Sequence, residues 1–167
     1  MSSLAAICVR STSEATTLEL AEALAEFLKP GSVVAIEGEL GAGKTCFVRG
    51  LVKGLAGSDV VVSPTFTYEN RYALGRIGQE FLHMDLYRIE ERIDTELLSS
   101  LREAREAGAV IAVEWARAWL EFLQPCLHLA IAMDGSGRTL RLAPLPGGWR
   151  HLESLAARWA AIAGACQ

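Results

Sequence analysis

The sequence predicts an α/β fold: a mostly parallel central sheet flanked by helices, with antiparallel hairpin additions. Three observations lead there. The run Ser32-Val33-Val34-Ala35-Ile36-Glu37 is apolar, β-branched and of strand length, and it feeds the glycine-rich stretch Gly38-Glu39-Leu40-Gly41-Ala42-Gly43-Lys44-Thr45. Cys46, Phe47, Val48, Leu51, Val52 and Leu55 then recur at helical spacing until Gly57. Further on, Ala109-Val110-Ile111-Ala112-Val113 is apolar throughout, as expected of a central strand covered on both faces. Finally, Asp134-Gly135-Ser136-Gly137 between two alternating runs is a hairpin signal.

In order, residues 4–9 form a short candidate strand, and Ser11-Thr12-Ser13-Glu14 fits a capping box that opens a helix at Ser11. Leu18, Ala21, Leu24, Ala25 and Leu28 mark its buried face, and Pro30-Gly31 ends it. After the glycine-loop helix, a turn at residues 57–59 leads into Val60-Val61-Val62. Residues 63–72 read as an exposed strand, extended from Pro64 onward and bearing alternating aromatics. Residues 74–78 look like a hairpin connection to a strand over 80–88 that carries Asp85. A charged, leucine-bearing helix over 93–107 closes at Gly108. A short helix over 116–123 stops before Pro125, a hairpin follows over 127–142, and Trp149, Leu152, Leu155, Ala156, Trp159 and Ile162 stripe a last helix.

With 167 residues and no linker or repeat, a single domain over 1–167 is expected. The chain shows no apolar stretch of spanning length and no secretory leader pattern, so a cytoplasmic location is expected. Cys8, Cys46, Cys126 and Cys166 are scattered and share no metal-ligand spacing with the three histidines, so they read as reduced thiols. A formal net charge of −4 argues against a dedicated nucleic-acid surface; if RNA is involved, another protein holds it.

The stretch at 38–45 reads G-x-x-x-x-G-K-T, the phosphate-binding P-loop, and its strand-before, helix-after context is the one the chemistry needs. Backbone N–H groups of Glu39, Leu40, Gly41, Ala42, Gly43, Lys44, Thr45 and Cys46 can approach phosphate oxygens, and the positive end of the new helix points at the same anion. Lys44 is expected on the β/γ-phosphates and the Thr45 hydroxyl on Mg²⁺. Hydrolysis further needs acids at the C-terminal strand ends. Glu114, after 110–113, stands at the Walker-B position, and Asp85 ends 81–84 in the same way. Both are candidate metal and catalytic residues. Thr65 is a candidate sensor of γ-phosphate or metal. His83 shares a strand face with Asp85 and is expected to support or pack rather than catalyse. Trp115 either covers the nucleotide or packs. No N-K-x-D segment for guanine is present, so ATP is the expected nucleotide.

Four segments in this order, GELGAGKT (38–45), SPTFT (63–67), HMDLYR (83–88) and VEW (113–115), resemble the bacterial TsaE family of ATPases in tRNA threonylcarbamoyladenosine biosynthesis. The resemblance runs from near Ser11 to the final hairpin. It implies a small P-loop ATPase that binds ATP with Mg²⁺, hydrolyses it weakly alone, and works with the two-subunit complex that places threonylcarbamoyl on adenosine 37 of tRNA. It places the family's P-loop threonine on Thr45, its strand-end aspartate on Asp85, its Walker-B-like glutamate on Glu114 and its tryptophan on Trp115. It implies a nucleotide contact for the Gly137-Arg138 pair, Arg138 above all. Two positions depart from the family pattern: Cys46 stands where threonine is usual, and Ala116 where proline commonly follows the EW pair. From the residues alone, two other functions stay open: a small-molecule or nucleotide kinase, and a nucleotide-gated binding module without useful turnover.

Overall fold

The computed structural model of the protein describes residues 6–56, 61–75, 79–89, 92–146 and 149–163. Its strands are β1 (Ile7–Ser11), β2 (Val33–Gly38), β3 (Glu69–Ala73), β4 (Glu80–Asp85), β5 (Val110–Glu114), β6 (Cys126–Asp134) and β7 (Gly137–Leu145). Its helices are α1 (Glu14–Ala25), α2 (Lys44–Ala56), α3 (Thr95–Glu106), α4 (Leu120–Leu123) and α5 (Leu152–Ile162), with a 3₁₀ turn over Arg117–Trp119 before α4. The described strands join one seven-stranded sheet in the order β1-β7-β6-β2-β5-β4-β3. The four central strands β6-β2-β5-β4 are parallel, while β7, β1 and β3 add antiparallel pairings at the two sides. That is the predicted architecture.

Alternation along the strands divides the core in two. Val34 and Ile36 face the layer of α1, α2 and α5 together with Phe47, Leu51 and Trp159, whereas Val33, Ala35, Ile111 and Val113 face α3 and Trp119. β5 is buried along its whole length, as its unbroken apolar run requires. None of the described helices is long and apolar enough to cross a membrane.

Several boundaries differ from the sequence reading. The N-cap of α1 is Ser13, whose side chain accepts from the Thr16 amide at 3.0 Å, and not Ser11. Ser11 belongs to β1, fully buried, with its hydroxyl 2.9 Å from the Ser13 carbonyl and 2.8 Å from Thr17 Oγ1. Strand pairing with Arg138 claims it first. The exposed strand expected over 63–72 begins only at Glu69. Thr67 and Tyr68 both donate their amides to the Pro64 carbonyl, folding the segment into a turn that ends with Tyr68 at φ 64°. The helix expected over 93–107 starts at Thr95, capped by Asp94 through the amides of Glu96 and Leu97. The stop at Gly57, the turn over 57–59, part of the 74–78 connection and Cys166 lie outside the described residues.

The packing of α1 on α2 depends on glycine. A Cβ on Gly50 would lie 2.5 Å from Ala21 Cβ and 2.6 Å from the Leu18 carbonyl, and one on Gly54 2.7 Å from Ala25 Cβ. The two helices touch at backbone distance, which seats α2 behind the glycine loop. Gly50→Leu is therefore expected to cost about 1–3 kcal/mol of overpacking. Urea titration checks this, and an unchanged midpoint would show that the helices tolerate a wider spacing.

Candidate functional site

The site forms where β2, β5 and β4 end side by side. Parallel pairing of β4 with β5 sets Asp85 opposite Glu114, and pairing of β2 with β5 sets Ile36 beside Glu114. Asp85 and Glu114 fall on the α2 face of the sheet, continuing the alternation of Phe81 and of Val110 and Ala112. Residues 38–43 leave β2 and pass into α2 at Lys44, so the glycine loop overhangs both acids. Gly38 is obligatory at the start of this loop, since a Cβ there would lie 2.5 Å from the Ile131 carbonyl. The first rung of the α2 ladder is the Phe47 amide on the Gly43 carbonyl at 2.9 Å. The amides of Lys44, Thr45 and Cys46 thus precede the ladder and lie at the positive helix end.

Lys44, Asp85 and Glu114 are all buried, a concentration of charge that only mutual pairing or a ligand makes tolerable. Lys44 Nζ donates to the carbonyls of Gly38 at 2.7 Å and Glu39 at 2.8 Å, and it sits 3.8 Å from the centroid of the Trp115 ring. Burial pushes its pKa below the usual lysine range, and the nearby Glu114 and Asp85 carboxylates pull it back. Thr45 Oγ1 donates to Glu114 Oε1 at 3.0 Å. The same oxygen lies 2.8 Å from Nε2 of the fully buried His83. With the carboxylate ionised, His83 Nε2 carries the proton, and the imidazole holds Glu114 in one orientation.

Asp85 is held from the other side. Its Oδ2 accepts from Thr65 Oγ1 at 3.0 Å and Ser63 Oγ at 3.2 Å, and its Oδ1 from the Tyr87 amide at 3.0 Å. Thr65 therefore meets the strand-end acid directly, through the turn that replaces the expected strand. Trp115 and Tyr68 are the two non-glycine residues with positive φ among those described, at 59° and 64°. Both follow site segments, Trp115 directly after Glu114 and Tyr68 after the Thr65 turn, so the left-handed backbone bends each chain away at the ligand edge. Tyr87 packs on Trp115 with ring centroids 4.8 Å apart.

The remaining expected residues are placed differently from one another. Leu40, Gly41, Gly43, Lys44, Thr45 and Cys46 line the groove with Asp85 and Glu114. The Cys46 side chain turns away toward the Glu14 carbonyl, 3.8 Å distant, and burial together with Glu14 pushes its thiol up to about 11. Glu39 contributes its carbonyl to Lys44, and Ala42 is buried in the loop. Arg138 donates to the Ala42 and Gly41 carbonyls. The aromatic run expected to be exposed is exposed only at Phe66, 79% open and stacked over Arg88 at 4.4 Å. Tyr72 packs on Phe81, while Tyr68 and Trp115 lie against the core of the α3 side. The turn over residues 65–67 and the positive φ of Tyr68 and Trp115 remove the alternation that an exposed strand would have given. Ser63 and Tyr87 were not singled out from sequence; their flanking of Thr65 and Asp85 was the available signal.

The oxygen set of the Thr45 hydroxyl and the Asp85 and Glu114 carboxylates suits a hard cation such as Mg²⁺. Among the described residues no group of three His, Cys, Asp or Glu is arranged to hold a metal. Mg²⁺ beside a nucleotide usually completes its shell with phosphate and water, so two carboxylates and a hydroxyl are enough protein ligands.

A glycine loop opening a helix beside two strand-end acids, on a mostly parallel sheet, defines a P-loop NTPase-like protein. Residues 11–141 match the profile of the family described as threonylcarbamoyl adenosine biosynthesis protein TsaE. The chain is 41% identical over 128 residues to the tRNA threonylcarbamoyladenosine biosynthesis protein TsaE of Bacillus subtilis, covering 77% of each chain. It is 38% identical over 135 residues to the Aquifex aeolicus protein of the same name, covering 78% of this chain and 90% of that one. With the Nostoc protein of that name identity is 45% over 106 residues, and the match spans 60% of this chain and 62% of that relative's length. The crystal structure of Bacillus subtilis YdiB superposes with a TM-score of 0.73 at 28% identity, covering 96% of this chain and 98% of that one. The chain belongs to the TsaE family.

Proposed function

We propose that the protein is a cytoplasmic, single-domain accessory ATPase of tRNA N6-threonylcarbamoyladenosine modification at adenosine 37. In this reading it binds and hydrolyses ATP with Mg²⁺, to support turnover of the two-subunit threonylcarbamoyl-transferase complex. The observation that carries the reading is the convergence of Lys44, Thr45, Asp85 and Glu114 at one sheet edge beneath the glycine loop. Family membership and the names of the relatives support the pathway.

The chain's own residues supply a sequence of tasks. Lys44 donates to two backbone carbonyls, and with nucleotide bound it would exchange them for phosphate oxygens, stronger acceptors of a charged donor. Thr45 and Glu114 already share a hydrogen bond, so the hydroxyl and the carboxylate are preset around one point. His83 keeps Glu114 from turning away, and Ser63, Thr65 and the Tyr87 amide do the same for Asp85. Thr45, Asp85 and Glu114 would hold Mg²⁺, which would supply charge neutralisation on the phosphate groups. A second pocket, between Ser13 and Glu14 on one side and Ser136, Gly137 and Arg138 on the other, shares Gly41, Gly43 and Cys46 with the groove and is a candidate place for the nucleoside.

Measuring phosphate release with ATP and Mg²⁺, with and without the partner complex, tests the reading. Stimulated release supports it. Transfer of phosphate to a metabolite would replace it with a kinase, and binding without release would replace it with a nucleotide-gated module.

A partner complex that reads nucleotide state has its own measurable signature. Thr65 donates to Asp85 and the turn that carries it exposes Phe66, which supports a reading in which this segment, together with the one after Glu114, reports nucleotide state outward. ATP is expected to strengthen binding to the partner complex relative to ADP. Thr65→Ala is expected to flatten that difference while leaving nucleotide affinity nearly intact. Pull-downs with ATP, ADP and no nucleotide check it, and equal capture in all three would end the idea. With net charge −4, binding to free tRNA is expected to be weak; tight, salt-sensitive binding to tRNA alone would overturn the partner-first reading.

A further inference from the structure

We propose that Arg138 is a positioning residue that sets the peptide orientations of the glycine loop, so that the hairpin of β6 and β7 is part of the phosphate-binding apparatus. This rests on the phosphate-binding reading and replaces the direct nucleotide contact expected for Arg138 with an action through the loop.

The guanidinium spends its fork on three carbonyls. Nε donates to Ala42 at 3.0 Å, one terminal nitrogen to Gly41 at 3.3 Å and the other to Gly137 at 2.8 Å. The bond to Gly137 anchors the group to its own hairpin, and the other two reach across to the loop. In a trans peptide the carbonyl and the following N–H point in opposite directions. Holding the Ala42 carbonyl toward the hairpin therefore turns the Gly43 N–H away from the hairpin. Holding the Gly41 carbonyl does the same for the Ala42 N–H, which closes the turn on the Glu39 carbonyl at 3.1 Å. Such anchors matter here because Gly41 and Gly43 stand at φ 78° and 105°, and glycine offers no steric resistance to peptide rotation.

The hairpin is itself fixed in place. Arg138 pairs with Ser11 of β1, Arg10 Nε reaches Asp134 Oδ2 at 2.8 Å, and a Cβ on Gly137 would lie 2.7 Å from the Ser11 carbonyl. From the other side, a Cβ on Gly41 would lie 3.6 Å from the Met133 methyl group. The loop thus rests against a rigid wall, and Arg138 is the polar clamp between them. A planar fork can hold two neighbouring carbonyls at once, which a lysine ammonium does poorly.

The test compares wild type, Arg138→Gln and Arg138→Lys for binding of ATP and of inorganic tripolyphosphate by calorimetry. The melting point without ligand and the amide resonances of Gly41 and Gly43 are recorded alongside. Loss of the clamp is expected to weaken both ligands by the same factor, about tenfold for a pair of hydrogen bonds that orient the loop. The glycine amides are expected to shift, and lysine is expected not to restore binding. Unchanged affinity for both ligands would overturn the proposal. So would a loss confined to ATP, because that marks a direct contact with the nucleoside. Should Arg138→Gln fail to fold, the same comparison on Arg138→Lys decides, since it keeps the charge and loses the fork. Failure of the wild type to bind tripolyphosphate would sink the phosphate-binding reading itself, a result distinct from failure of the clamp.

Discussion

Lys44→Ala is expected to lower ATP affinity by on the order of 10²-fold or more, the largest binding loss of any single change in the loop, with the fold retained. Charged hydrogen bonds contribute about 1.5–3 kcal/mol each, and Lys44 is placed to make two to phosphate oxygens. The free fold loses the cation beside the buried Asp85 and Glu114 carboxylates, a loss offset in part by the burial cost of Lys44 itself. The ammonium is buried against two loop carbonyls and the Trp115 ring, and burial already pulls its pKa down, so its charged form is held at a cost. Alanine removes that cost along with the contacts. Titration calorimetry with ATP, paired with a melting curve of the free protein, reads both halves. Unchanged ATP affinity would show that the phosphate cradle has been assigned to the wrong residues.

Glu114→Ala and Asp85→Ala are expected to reduce Mg²⁺-dependent hydrolysis by on the order of 10²-fold, more than either affects folding. Each carboxylate is preset by neighbours that do nothing else obvious for the core: Thr45 and His83 for Glu114, Ser63, Thr65 and the Tyr87 amide for Asp85. Removing Glu114 also removes the first of the two charges that support the Lys44 ammonium, so the Lys44 pKa is expected to fall further in that variant. Single-turnover phosphate release in the presence of partner, set beside the melting point without ligand, separates the roles. A large loss of melting temperature with hydrolysis intact would make the acids structural.

The elements read most securely from sequence are those whose signal is local. β2, the glycine loop and α2 form one continuous stretch, and each carries its own pattern of apolar residues or glycines, so order and type followed directly. β5 was equally plain because a strand buried on both faces has no reason to alternate. Boundaries went astray where tertiary pairing outbid a local motif. Ser11 satisfied the capping-box spacing, yet its pairing to β7 drew it into β1 and left Ser13 to cap α1. The aromatic alternation over 63–72 imitated a strand, and the turn on Pro64 bent it toward Asp85 instead.

By itself the sequence determined the phosphate loop, the two strand-end acids, the order of elements and the kinship to one family. Each of these is written in neighbouring residues or in short motifs that follow one another in a set order along the chain. Only the tertiary structure decided how they meet: that Thr45 shares Glu114 with His83, that Thr65 and Ser63 hold Asp85, and that Arg138 grips the loop. Thr45 and Glu114 are separated by 69 positions, and Arg138 and Ala42 by 96. The register of strands in one sheet closes such gaps, and it is set by the burial of many apolar side chains together, which no short stretch of sequence records.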